Sequence, residues 1–74
     1  SDGVLYYDNK RLEDIMYALG RWYNRKVVFK DSTLKDKRLN FAAERKGSIQ
    51  ETVELLNSLG KVKVTLDGEK IVIE

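Results

Sequence analysis

Residues 48–60 read SIQETVELLNSLG, and this stretch decides the fold because it writes a helix with both ends marked. Ser48 and Glu51 have the capping-box spacing, in which the serine oxygen takes the amide of the third helical residue and the glutamate reaches back to the serine amide. Ile49, Val53, Leu56 and Leu59 follow at helical spacing and form the predicted buried stripe. Gly60 comes directly after, where a left-handed residue closes a helix. Toward the C-terminus, Val62, Val64 and Leu66 alternate with Lys61, Lys63 and Thr65. Asp67 and Gly68 then supply a tight-turn pair before Ile71, Val72 and Ile73, which predicts a closing β-hairpin.

Toward the N-terminus, Leu39, Phe41 and Ala43 alternate with Asn40 and Ala42, the two-residue period of a strand. Val27, Val28 and Phe29, flanked by Lys26 and Lys30, form a second strand-type segment. Before it, Leu12, Ile15, Met16, Leu19, Trp22 and Tyr23 fall on one face of a helix, with Trp22 and Tyr23 assigned to its core side. Asp8 and Asn9 are the expected N-caps; Glu13 and Asp14 suit the positive end, and Arg21 and Arg25 the negative end. Gly20 costs about 1 kcal/mol inside a helix relative to Ala, so close packing against its bare backbone is expected. Val4, Leu5, Tyr6 and Tyr7 make an opening strand. The sum is an α+β domain in βαββαββ order: two βαβ-like units, two helices packed on small sheets, and the C-terminal hairpin. Displacing the chain by 37 residues lays Leu12 on Ile49, Met16 on Val53, Leu19 on Leu56, Trp22 on Leu59, Val27 on Val64 and Phe29 on Leu66. This is either a true internal repeat or the match that any two helix-then-strand units aligned by their cores would give.

Seventy-four residues make one domain, spanning 1–74, with a single small core. At 42% hydrophobic and 35% charged residues the composition is that of a folded chain. There is neither His nor Cys, which removes disulfides, cysteine nucleophiles, the commonest general base and nearly all zinc sites. No apolar run approaches the roughly 20 residues needed to cross a bilayer. The chain begins at Ser1 rather than Met, so it reads as a processed product or an excised fragment, with any anchor upstream.

Carboxylate pairs are the catalytic option left, with Asp8 near Glu13 or Asp14, and Glu51 near Glu54. Capping, dipole pairing and solvated helix faces explain each of them, so no enzyme, cofactor, metal or small-molecule substrate is expected. Residues 21–46 hold nine Lys and Arg against three acids. Such a stretch either holds phosphates, as in the βαββαβ RNA-recognition platforms, or keeps a small domain soluble. Those platforms carry a glycine and several aromatics on the third strand, whereas 38–45 has only Phe41, which makes nucleic acid the weaker alternative. Strand addition suits a small domain with short strands. Leu39, Phe41 and Ala43 are the edge candidate, though the same pattern fits a half-buried core strand. Lys37, Arg38, Glu44 and Arg45 are its charged flanks, and Tyr7 and Tyr17 are candidate interface aromatics.

The run Leu12, Glu13, Asp14, Ile15, Leu19, Trp22, Tyr23, Asn24, Val27 to Asp31 resembles the C-terminal domain of FecR-family anti-sigma regulators of the Bacteroidetes type. Ser48 to Leu56, Val62 to Gly68 and Ile71 to Ile73 are similar to the closing helix and hairpin of that domain, so the likeness spans roughly Val4 to Glu74. Asn40, Phe41, Ala42 and Ala43 depart from the small or glycine-containing pattern expected in the third strand. The resemblance implies a domain like the short N-terminal domain of secretins and TonB-dependent receptors. It also implies a periplasmic place on a single-pass inner-membrane protein whose anchor lies outside this chain. The implied partners are the periplasmic signalling domain of a TonB-dependent outer-membrane receptor and, through a missing cytoplasmic segment, an extracytoplasmic-function sigma factor. A structural periplasmic module of a secretin or receptor is the other family-level alternative.

Overall fold

In the computed structural model, which describes residues 3–74, the elements follow the expected order: β1 (Val4–Arg11), α1 (Leu12–Tyr23), β2 (Lys26–Phe29), β3 (Arg38–Glu44), α2 (Ile49–Ser58), β4 (Val64–Asp67) and β5 (Lys70–Ile73). A 3₁₀ turn, Ser32–Asp36, joins β2 to β3. β1 and β3 form an antiparallel ribbon, while β2 runs parallel to β5 and β4 runs antiparallel to it, in the order β2-β5-β4. Each βαβ half therefore gives a strand to each sheet. The halves interlock rather than close on themselves, and the core fills the space between helices and sheets.

The core forms where the sequence pattern places it. Leu12, Ile15, Met16 and Leu19 from α1 meet Leu39, Phe41 and Ala43 from β3, Ile49 and Leu56 from α2, and Val64, Ile71 and Ile73 from the three-stranded sheet. β5 is central in its sheet, and Ile71, Val72 and Ile73 are all buried, which explains its unbroken apolar run. Gly20 lies against Val27: a Cβ there would stand 2.7 Å from the valine Cγ2 and 2.9 Å from the Arg25 carbonyl oxygen. The close packing expected of this glycine is present.

α2 starts as written. The Ser48 Oγ accepts from the Glu51 amide at 3.1 Å, and a Glu51 carboxylate oxygen accepts from the Ser48 amide at 3.0 Å. These bonds with Ser48, the backbone one first, hold the Glu51 carboxyl below its ordinary pKa. Because the folded value is the lower one, this stabilisation is present at neutral pH and fades as pH falls through the folded pKa. Ser48→Ala should cost about 0.5–2 kcal/mol, read as a lower urea midpoint with an unchanged slope. Gly60 follows in the left-handed region at φ +70.

Four expectations are corrected. Asp8 and Asn9 do not cap α1, because β1 continues through them and Arg11 occupies the N-cap position without a side-chain cap. Asn9 instead adopts φ +51 where the β1–β3 register slips between Tyr7 and Lys10. Its amide donates to the Asn40 Oδ1 at 2.7 Å and its carbonyl accepts from Arg38 at 2.8 Å, so two β3 side chains hold the irregular backbone. Trp22 is 48% exposed rather than core. Leu59 is 39% exposed, and Thr52 takes a place on the buried side of α2. The hairpin turns one residue later than expected: Asp67 pairs with Lys70, and Gly68, at φ +57, is the first of the two loop residues. Asp67 belongs to the ladder, while Val62 lies before β4 begins.

Candidate partner-binding surface

Strand edges supply the first part of the surface. The Arg45 amide bonds the Gly3 carbonyl and the Leu12 amide bonds the Lys37 carbonyl, which fixes the ladder phase of the ribbon. Leu39, Phe41 and Ala43 turn their backbone groups toward β1, and Asn40 and Ala42 turn theirs away from it. The other sheet has two edges. Lys26 and Lys30 donate to the Glu69 and Ile73 carbonyls of the parallel partner, so Val27 and Phe29 direct their amides and carbonyls outward. At the opposite edge Asn57 covers the first residue of β4, donating to the Val64 carbonyl at 2.9 Å and accepting from its amide at 2.7 Å, while Leu66 keeps its backbone groups outward. At Val64 a side-chain amide thus takes the place a neighbouring strand would fill.

The predicted interface residues do not converge. Leu39, Phe41 and Ala43 point into the core, with Phe41 6% exposed and stacked on Tyr7 at 6.4 Å between ring centroids. Their side chains are unavailable to a partner, because the face of the ribbon that carries them is covered by the helices. Lys37 donates to the Lys61 carbonyl at 2.8 Å, and Arg38 is held by Asn9. With Phe41 inside, β3 offers no aromatic for base stacking. Much of the basic stretch is also engaged: Arg25 with Glu69 at 3.2 Å, Lys30 with Glu74 at 3.6 Å, and Lys35 with Glu13 at 3.6 Å. Tyr17 and Tyr7 lie on either side of α1, Tyr17 edge-on to Phe29 at 5.9 Å.

α1 presents a face that the helical period concealed. Trp22 donates from Nε1 to the Arg45 carbonyl at 3.2 Å, and the Arg45 guanidinium lies 5.4 Å from the indole ring centre. Beside it, a groove of about 310 Å3 runs between Leu5 and Tyr7 of β1 and Ala18, Arg21 and Trp22 of α1. Burial pushes the Tyr7 phenol above its ordinary pKa, with Arg21 and Arg45 opposing that shift. Tyr6, on the outer side of the ribbon, is 75% exposed. Tryptophan, tyrosine and arginine together are the composition of energetic anchors at protein interfaces. The sequence signal that could have exposed Trp22 is Tyr23: two adjacent aromatics at a helix end cannot both face inward. Tyr23 takes the inner position, its hydroxyl 2.9 Å from the Gly47 carbonyl and 2.8 Å from the Thr52 hydroxyl.

Among the described residues no group of acidic side chains is arranged to hold a metal ion. Three of the five acids singled out in the sequence have structural partners: Glu13 and Asp14 with Arg11, and Glu51 with Ser48. Arg11 also reaches Asp36 at 2.8 Å, tying the first turn of α1 to the 3₁₀ segment.

A family model described as FecR, C-terminal matches residues 4–73, nearly the whole chain. The chain belongs to this family. The FecR C-terminal fold recurs in a 1.65 Å crystal structure of a protein assigned as an anti-sigma factor from Parabacteroides distasonis ATCC 8503. The TM-score is 0.78 at 18% identity, covering 97% of this chain and 34% of that one. A second crystal structure, of a protein assigned in the same way from the same organism, gives a TM-score of 0.78 at 18% identity over 96% and 33% of the two chains. At that identity the likeness is one of fold, and this FecR C-terminal domain spans about a third of the length of those proteins. No curated protein sequence matches the chain.

Proposed function

We propose that this domain is the receiving end of an anti-sigma regulator. It stands in the periplasm on a single-pass inner-membrane protein and binds the periplasmic signalling domain of a TonB-dependent outer-membrane receptor. Receptor engagement shifts the regulator between two arrangements, by no more than the difference in its affinity for them, and so changes its hold on an extracytoplasmic-function sigma factor. The family match over residues 4–73 carries this reading. The solved relatives of this fold are about three times longer, which leaves room elsewhere in such a regulator for the anchor and the sigma-binding segment. No helix among the described residues is long and apolar enough to cross a membrane.

The contact is assigned to the outer edge of β3. Asn40 and Ala42 turn unpaired backbone groups outward there, with Lys37 and Arg38 at one end and Glu44 and Arg45 at the other. Strand addition at this edge draws affinity from main-chain hydrogen bonds and selectivity from the flanking charges. The test is an NMR titration of the labelled domain with the signalling domain of the receptor encoded beside the regulator. Saturable shifts centred on the Asn40 and Ala42 amides are expected. Ala42→Pro, which removes only an outward-facing donor, should abolish them while leaving the fold intact. An absence of shifts at high concentration sinks the receptor partnership, and saturable shifts that avoid β3 sink the edge.

A further inference from the structure

The second sheet also keeps an edge open, at β2, and this edge borders a groove of about 440 Å3 against α1. Tyr17, Gly20 and Arg21 form the helical wall, and Arg25, Lys26 and Val27 form the strand side. The Gly20–Val27 contact pins the helix to the strand and shapes the groove floor. Val27, on the strand side, is also one of the two β2 residues, with Phe29, whose amide and carbonyl face away from β5.

Every charged residue lining this groove is a cation. The nearby acids are accounted for: Glu69 holds Arg25 at 3.2 Å, and Asp14, two turns back on the face of Arg21, is drawn to Arg11 at 3.9 Å. The carbonyls of Gly20 and Arg21 at the helix end are capped by the Arg25 and Asn24 amides, so they do not reverse the sign. Arg21 and Lys26 are exposed and form no ion pair among the described residues. An open strand edge thus stands beside two free cations and an aromatic wall.

We propose that the β2 edge is a second docking site, which takes an extended acidic polypeptide segment as a fourth strand of the β2-β5-β4 sheet. Val27 and Phe29 supply the main-chain hydrogen bonds, Arg21 and Lys26 pair with carboxylates on the added strand, and Tyr17 packs against its apolar side chains. Each sheet then offers an edge for an added strand, the ribbon at β3 and the three-stranded sheet at β2, while Asn57 occupies the Val64 position of the β4 edge. A domain built this way can hold two strands at once, which is what a relay between two partners requires. The β2 site does not depend on the identity of the partner at β3.

The test uses two capped hexapeptides, one alternating Glu and Val and the other alternating Lys and Val, titrated into the labelled domain. The acidic peptide should bind saturably, shift the Val27 and Phe29 amides and slow their hydrogen exchange, while the basic peptide should not bind. Arg21→Glu with Lys26→Glu, both at exposed positions, should weaken the acidic peptide about tenfold or more and leave the spectrum of the free domain otherwise native. Equal binding of the two peptides, or binding of neither, overturns the site. Shifts confined to Arg21 and Lys26 with unchanged exchange at Val27 also overturn it, since they show charge association without an added strand.

Discussion

Phe41→Ala should destabilise the domain by about 3–5 kcal/mol, the range for removing a buried aromatic ring and leaving a cavity. The phenyl ring is 6% exposed, lies in the core with Leu39 and Ala43, and stacks on Tyr7 across the ribbon. A domain of this length has roughly 4–11 kcal/mol in total at typical per-residue stability, so much of the variant should be unfolded at moderate temperature. Urea denaturation followed by far-UV circular dichroism reads the loss directly. A variant that keeps wild-type stability would mean that Phe41 faces solvent and that β3 is rotated by one residue, with its apolar side chains on the partner side. The result also governs how binding data are read. Loss of receptor binding in Phe41→Ala reports on folding, whereas loss in Ala42→Pro reports on the strand edge.

The limits of the sequence are visible in the same strand. Alternation in Leu39, Phe41 and Ala43 specifies one covered face, but an edge strand and a core strand share that pattern. The distinction lies in which backbone groups find partners, and pairing across 30 residues leaves no local mark on composition. Capping left clear marks: Ser48, Glu51 and Gly60 do in space what their spacing says. Asp8 and Asn9 misled because the residue types that favour N-caps also tolerate positive φ, and Asn9 uses that tolerance in a bulge. Trp22 misled because hydrophobic periodicity counts an indole as core regardless of its N–H, which here bonds a carbonyl at the surface. The family resemblance was legible from the order of short structural motifs over nearly the whole chain. The α1 face and the β2 edge were not, since each depends on two segments meeting.

Leu56→Ala should cost about 2–5 kcal/mol, while Leu59→Ala and Leu55→Ala should each cost less than about 1 kcal/mol. Leu56 is fully buried where α2 meets the core; Leu55 points outward from the helix, and Leu59 lies beyond its last residue. Helical spacing places Leu56 and Leu59 on one stripe with equal claim to the core, so the contrast between them tests the helix end rather than the register. The Leu59 amide bonds the Leu56 carbonyl three residues back, at 3.2 Å, and the Gly60 amide bonds the Asn57 carbonyl, at 3.1 Å. This tightened final turn carries Leu59 off the line of the preceding stripe. Asn57, one residue inside the helix end, is held separately by its two side-chain bonds to Val64 of β4. Comparable losses from Leu56→Ala and Leu59→Ala would show that α2 continues with regular geometry through Leu59.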